Sequence, residues 1–292
     1  MTEKPFKIVG LGEVLWDCLP DGKQLGGAPA NFAHISTQLG NYGIVASRVG
    51  NDNDGNEILQ SLENVGIDIS LIQKDTEFPT GTVKVWLENG QPSYQITENV
   101  AWDFLELSDD WQKLAENCDA VCFGTLAQRN SVSRKTIQEF VRSIRGLRIF
   151  DFNLRQNYYS REISDESLTL ADVVKLNHEE FPVVTAMFAL KGADIIEQAR
   201  NLLEKYDLQL VCVTRGSNGS FLVTATEVSE HQGEKIEIAD TIGAGDAFTA
   251  TMTHGLLQGW DLDVINQKAN KIGALVASQR GAMPAFPKDF KL

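Results

Sequence analysis

Residues 29–49, PANFAHISTQLGNYGIVASRV, read as a helix that hands the chain directly to a strand. Phe32, Ile35 and Leu39 fall on one face at helical spacing, Pro29 sits near the first turn, and Gly40 is the stop. Tyr42 to Val49 follows as the strand. The same hand-over recurs outward along the chain. Lys7 to Gly12, Ala120 to Gly124, Leu147 to Phe152, Asp172 to Leu176, Leu208 to Thr214 and Ser220 to Thr226 read as strands. Asp172 to Leu176 is nearly continuous in apolar residues, as a strand buried on both faces of a parallel sheet is. Gly55 to Val65, Ser133 to Arg145, Ala193 to Tyr206, Asp246 to Leu257 and Val264 to Ser278 read as helices. The alternation predicts one doubly wound α/β domain spanning residues 1–292, with a mostly parallel sheet between helix layers.

One segment breaks the alternation. Thr80 to Leu87 and Pro92 to Thr97 form two strands across Asn89-Gly90, a strong hairpin signal. Such an insertion either projects from the main sheet as a lid or forms its antiparallel edge, and the pattern alone leaves both open.

Composition narrows the function. The 292 residues carry a formal net charge of -14 and no Lys/Arg-rich run. That excludes the basic face of a nucleic-acid binder and disfavours anionic membranes. A phosphorylated ligand then needs a local site built from backbone N–H groups, a metal or a few cations. Cys18, Cys118, Cys122 and Cys212 make no CxxC pair and no zinc set, and read as reduced thiols. The start, Met-Thr-Glu-Lys-Pro, runs straight into a strand without a signal-peptide pattern, and Phe181 to Leu190 is too short to cross a bilayer. A cytoplasmic protein is expected.

The most informative motif is Asp240-Thr241-Ile242-Gly243-Ala244-Gly245-Asp246-Ala247-Phe248, between the strand-like Lys235 to Ala239 and a helical pattern. Gly243, Ala244 and Gly245 fall in a first helical turn, where N–H groups lack intrahelical partners and the dipole favours anions. Asp246 beside such an anion hole suits a base that deprotonates an attacking hydroxyl; a plain helix start is the alternative. No stretch fits GxxxxGK[ST], and Gly10-Leu11-Gly12 lacks a third glycine and runs into Glu13, which argues against a dinucleotide enzyme. Gly26-Gly27-Ala28-Pro29-Ala30-Asn31 opens another helix, with glycines for close approach of a ligand, Asn31 as donor and acceptor, and Asp17 just upstream. A carboxylate with an amide is a common grip on a sugar diol; a tight turn and cap is the alternative.

Together the stretches GGAPANFAHISTQLG and DTIGAGDAF resemble the two signatures of the PfkB, or ribokinase-like, carbohydrate kinases. VGNDNDG (49–55), DFNLR (151–155), NHEE (177–180) and TRGSNGS (214–220) resemble intermediate family features in the same order, so the resemblance covers essentially the whole chain. It implies a three-layer α/β/α sandwich with a small β lid, here segments around 12–28 and 80–105. It implies ATP and Mg²⁺, with Asp246 as base and Gly243, Ala244 and Gly245 as the charge-stabilising turn. By the same resemblance Asp17, Gly26, Gly27 and Asn31 bind sugar hydroxyls, and Arg155 contacts the sugar or its phosphate. Asn177 and Glu180 organise Mg²⁺ and phosphate, Glu180 through water. Thr214, Gly216 and Gly219 form the nucleotide turn, and Asn270 lines the adenine pocket.

Residues 12–33 and ENVAWD (98–103) resemble the fructokinase branch, which implies phosphorylation of D-fructose. Trp102 and Asp103 then serve sugar contact, lid closure or lid-to-body packing. A kinase for another sugar or a sugar acid such as 2-keto-3-deoxygluconate is the alternative, followed by a non-catalytic sensor on the same fold. Cation-activated members often carry a hydroxyl residue where Ala285 stands, which argues against a monovalent-cation site. An exposed lid edge makes a homodimer through the lid an expectation compatible with a monomer.

Overall fold

A computed structural model describes residues 4–19, 22–88 and 91–287. Nine strands form one sheet in the order β13-β12-β11-β10-β9-β8-β1-β4-β5. Its parallel core runs through β1 (Lys7–Leu11), β4 (Tyr42–Gly50), β5 (Ile72–Asp75), β8 (Ala120–Phe123), β9 (Leu147–Asp151), β10 (Val173–Asn177) and β11 (Leu210–Thr214). β12 (Ser220–Val223) and β13 (Val228–His231) add an antiparallel edge. In β10, Val173 packs toward one helix layer and Val174 toward the other. Adjacent residues facing opposite apolar layers is why these strands read as continuous apolar runs.

One layer holds α1 (Ala28–Gln38), α8 (Ala244–Leu257) and α9 (Leu262–Ala277), packed through Phe32, Phe248, Met252 and Ile272. The other holds α3 (Asp109–Asn117), α4 (Ser131–Ser143), α5 (Arg161–Leu170), α6 (Glu180–Phe188) and α7 (Ile195–Tyr206), packed through Trp111, Phe140, Leu168 and Leu202. α2 (Asn53–Asn64) starts on Asp52, whose carboxylate accepts from the Gly55 N–H at 2.7 Å and from Thr80 Oγ1 at 2.6 Å.

The hairpin does not join the main sheet. β2 (Leu15–Leu19), β3 (Gly22–Gly26), β6 (Gly81–Glu88) and β7 (Gln91–Ile96) make a separate sheet ordered β3-β2-β6-β7. The edge-strand alternative is therefore set aside in favour of a lid. The Asn89-Gly90 turn lies outside the described residues. One expectation fails: Lys235 to Ala239 is no strand. β13 ends at His231, and the chain then leaves the sheet to hang on the end of α9, where the Ala239 and Asp240 N–H groups both donate to the Ala277 carbonyl. Ile236 and Ile238 consequently stand exposed, so their alternation reflects no half-buried sheet face. Among the described residues no helix is long and apolar enough to cross a membrane.

Candidate active site

From β1 the chain steps to β4 and β5 on one side; β8, β9, β10 and β11 extend the other. Strand order therefore reverses between β1 and β8, and ligands of open α/β sheets settle beyond the carboxyl ends of the strands at that point. Here Glu13 follows β1, Gly124 follows β8, and Asp151 closes β9. They line one cavity with Asn153, Asp246 and Thr249.

Two helix N-termini converge on this cavity. α1 approaches β1 so closely that a Cβ on Gly10 would stand 2.0 Å from the Pro29 carbonyl oxygen. Its cap, Gly27, has φ 111°, and a Cβ there would meet the Glu13 carbonyl oxygen at 2.5 Å. A Cβ on Gly26 would meet Asp17 Oδ2 at 2.3 Å, so the glycine pair makes room for the acids beside it. α8 is capped by Gly243 at φ 78°, where a Cβ would lie 2.7 Å from Ala282. The Ala244 N–H points back to Thr241 O at 3.3 Å, which leaves the first-turn N–H groups of Gly245 and Asp246 as the ones suited to an anion.

Asn31 Nδ2 donates to Asp246 Oδ2 at 2.7 Å, so the two sequence motifs meet. Among the described residues Asn31 Oδ1 is buried without a partner, an acceptor open to a donor. Burial, reinforced by Asp151, pushes the Asp246 carboxyl up to about 6, opposed by the Asn31 amide, Lys175 and Arg155. Burial likewise pushes Glu13 up to about 7 and Asp17 to about 6, and Arg155 pulls both back. The exposed Arg155 makes one hydrogen bond among the described residues, at 3.4 Å to Leu154 O. One guanidinium with spare donors thus acts electrostatically on Glu13, Asp17 and Asp246. Its loop carries two non-glycine residues with positive φ, Asn153 at 41° and Gln156 at 45°. Gln156 reaches the lid by donating to Tyr94 O at 2.7 Å, and Tyr158 donates to Glu98 at 2.8 Å.

Asn177 and Glu180 form a reciprocal cap. Asn177 Oδ1 accepts from the Glu180 N–H at 2.9 Å, and Glu180 Oε2 accepts from the Asn177 N–H at 2.8 Å. Glu180 Oε1 accepts from the Leu154 N–H at 2.8 Å, which ties the turn after β10 to the Arg155 loop. Among the described residues no group of three or more His, Cys, Asp and Glu side chains could hold a metal. Glu180 suits a Mg²⁺ held by phosphates and water, because each oxygen keeps a lone pair after its backbone bond.

Thr214 ends β11, and a tight turn through Gly216 (φ 56°) to Gly219 (φ 80°) follows. A Cβ on Gly219 would strike the His231 carbonyl oxygen at 1.9 Å, so close chain packing demands this glycine. Asn270 is buried in a polar network instead of standing open: Nδ2 donates to Ser220 Oγ at 2.7 Å and to Asn266 Oδ1 at 3.0 Å. Trp102 and Asp103 settle among the three roles open to them. Trp102 is 0% exposed beneath Gly81, under the Arg129 guanidinium, while Asp103 is 2% exposed and pairs with Arg129 at 2.7 Å. Arg129 also donates to Thr97 O at 2.6 Å at the end of the lid. Sugar contact is thus corrected to lid-to-body packing, since neither side chain reaches the cleft.

Three site residues escaped sequence reasoning. Glu13 stood out only as the break in a glycine pattern. Lys175, a charge inside an apolar strand, was a legible signal; its ammonium meets Asp151 Oδ1 at 3.1 Å. Thr249 follows Asp246 at helical spacing and donates to Asp151 Oδ2 at 3.0 Å.

The chain is 30% identical to a fructokinase of Escherichia coli, covering 96% of this chain and 96% of that protein. It superposes on an uncharacterized sugar kinase from Pyrococcus horikoshii in complex with ATP with a TM-score of 0.79 at 30% identity, over 95% and 94% of the two chains. A Vibrio cholerae fructokinase in fructose, ADP and calcium ion bound form gives 0.79 at 28% identity, over 96% and 95%. Residues 17–289 match the pfkB family carbohydrate kinase pattern, and the chain belongs to that family of sugar-phosphorylating enzymes.

Proposed function

We propose that this sugar kinase transfers the γ-phosphoryl group of ATP to D-fructose, giving D-fructose 6-phosphate and ADP. The observation that carries the reading is the 2.7 Å bond from Asn31 to Asp246. It joins the glycine turn suited to hydroxyls with the helix start suited to phosphate, at one carboxylate. Asp246 takes the proton of the attacking hydroxyl while the Gly243–Gly245 turn faces the charge on the moving group. Asp17 and the free Asn31 Oδ1 accept sugar hydroxyls, and Arg155 supplies a charge-assisted donor. Mg²⁺, when bound, screens phosphate charge; Glu180 and Asn177 fix the turn that faces it. Thr214, Gly216 and Gly219 seat the nucleotide's phosphates, and the exposed Ile236 and Ile238 offer adenine an apolar surface that the committed Asn270 does not.

Fructose is favoured over a sugar acid by the balance of charge. An anionic acceptor would need Arg155 for itself and would lie against Glu13, Asp17 and Asp246. The second reading, a 2-keto-3-deoxygluconate kinase, rests on that same uncommitted guanidinium. The exposed Trp86 and Tyr94 on the lid suit a second copy of the chain, and the four free cysteines suit the cytoplasm. The deciding experiment is ADP release from ATP and Mg²⁺ with fructose, glucose, mannose, ribose and 2-keto-3-deoxygluconate. Preference for fructose is expected; preference for another acceptor discards the fructose assignment.

A further inference from the structure

Lys175 stands in the middle of β10 between Val174 and Leu176, and is 6% exposed. Burying an ammonium costs several kcal/mol, and a buried ion pair rarely stabilises a fold more than well-packed apolar residues of similar volume. β11 beside it is apolar up to Thr214, while β9 sets Asp151 directly opposite Lys175, so the lysine answers a buried carboxylate and not the packing of apolar side chains. Among the described residues its ammonium donates to Asp151 Oδ1 alone, at 3.1 Å, which leaves donors to spare. Those donors lie against the anion hole. A Cβ on Gly245 would stand 3.1 Å from Lys175 Nζ. Gly245 is not among the positive-φ glycines, so its backbone does not demand glycine; an added methyl group would instead crowd the end of the lysine side chain. Asp151 holds Lys175 with one oxygen and Thr249 of α8 with the other, so the pair is fastened to the helix that carries Asp246.

We propose that Lys175 is a positioning residue for phosphoryl transfer: its buried ammonium sets a fixed positive charge behind the Gly243–Gly245 turn, where negative charge gathers as the phosphoryl group moves. The inference rests on the reading of that turn and Asp246 as the transfer site. A chain of net charge -14 without a Walker lysine has few other ways to place a cation there. The bland alternative is that Lys175 serves only to neutralise Asp151.

The two roles separate in the pair Asp151→Asn and Lys175→Met/Asp151→Asn, which differ only at the lysine. If Lys175 merely neutralises Asp151, the variants turn over alike. The proposal expects kcat of the double variant at least about tenfold below the single, with KM for sugar and ATP within about threefold, because the lost interaction belongs to the transition state. Equal kcat values overturn it. Should the double variant not fold, as judged by circular dichroism, Lys175→Arg and Lys175→Gln, each made in the Asp151→Asn background, carry the test. Retained charge must then give at least about tenfold higher kcat than the amide, and equal rates sink the proposal. Asp246→Asn runs alongside: full activity there sinks the reading of the site, whereas its loss combined with equal Lys175 variants sinks this inference alone.

Discussion

Asn31 Nδ2 lies 2.7 Å from Asp246 Oδ2, and this bond couples helices whose partners stand 215 residues apart in sequence. It does two things at once. It fixes one oxygen of the Asp246 carboxylate, and it leaves Asn31 Oδ1 buried without a partner among the described residues. Replacing Asp246 with Asn keeps the shape and removes the base. Turnover should fall by roughly 10²–10⁴ with KM for the sugar acceptor little changed. Steady-state kinetics check this, and a loss below about tenfold would falsify the assignment of the base.

The pH profile should carry the same signature. Asp246 accepts a proton only as the carboxylate, and its carboxyl sits at about 6. The ratio kcat/KM should therefore fall as pH drops through about 6, where an unburied aspartate would fall near 4. Asn31→Leu removes a donor that favours the charged form, so its acid limb should move to higher pH. An acid limb that stays in place in that variant would detach Asn31 from the base.

How much of this was legible follows from which signals are local. Helix faces, caps and buried strands depend on neighbours in sequence, and Phe32, Ile35 and Leu39 gave α1 within a residue or two. The glycine turns were legible because backbone geometry leaves few residues able to serve. Lys235 to Ala239 misled because alternation of Ile236 and Ile238 indicates a strand only if a partner strand is present. Trp102 and Asp103 misled differently: the segment was noticed, but Arg129, which occupies both side chains, lies 26 residues beyond Asp103. Glu13 acquires meaning only once β1 delivers it to the carboxyl end of the sheet, whereas Lys175 was legible as a charge inside an apolar strand.

The glycines of the anion hole should respond unequally. At Gly243 a side chain meets both a positive φ of 78° and Ala282 at 2.7 Å, with backbone atoms that cannot yield. Gly245→Ala meets only the far end of a lysine at 3.1 Å. Gly243→Ala should cost about 1–3 kcal/mol of stability and most of the activity, while Gly245→Ala folds normally and loses kcat by displacing the ammonium. Thermal melts alongside kinetics check the order, which reverses if Gly243 tolerates the methyl group better.

Glu13 makes the conflict between site and fold measurable. Burial raises its carboxyl from 4.5 to about 7, against the pull of backbone N–H groups and Arg155. Below about 4.5 both folded and unfolded chains hold the proton and the residue is neutral in the balance. Between that value and about 7 the unfolded chain releases its proton first, the folded chain binds more, and stability falls as pH rises. Above about 7 the folded state bears the full cost of a buried carboxylate, at most about 3 kcal/mol. Glu13→Gln cannot ionise and retains an oxygen that can accept a hydrogen bond. Its urea midpoint should exceed the wild type's at pH 8 and lose that advantage at pH 5, while kcat/KM for the sugar falls because a charged acceptor in the cleft is gone. A variant less stable than the wild type at both pH values would show instead that the Glu13 carboxylate holds the start of α1 more than burial opposes it.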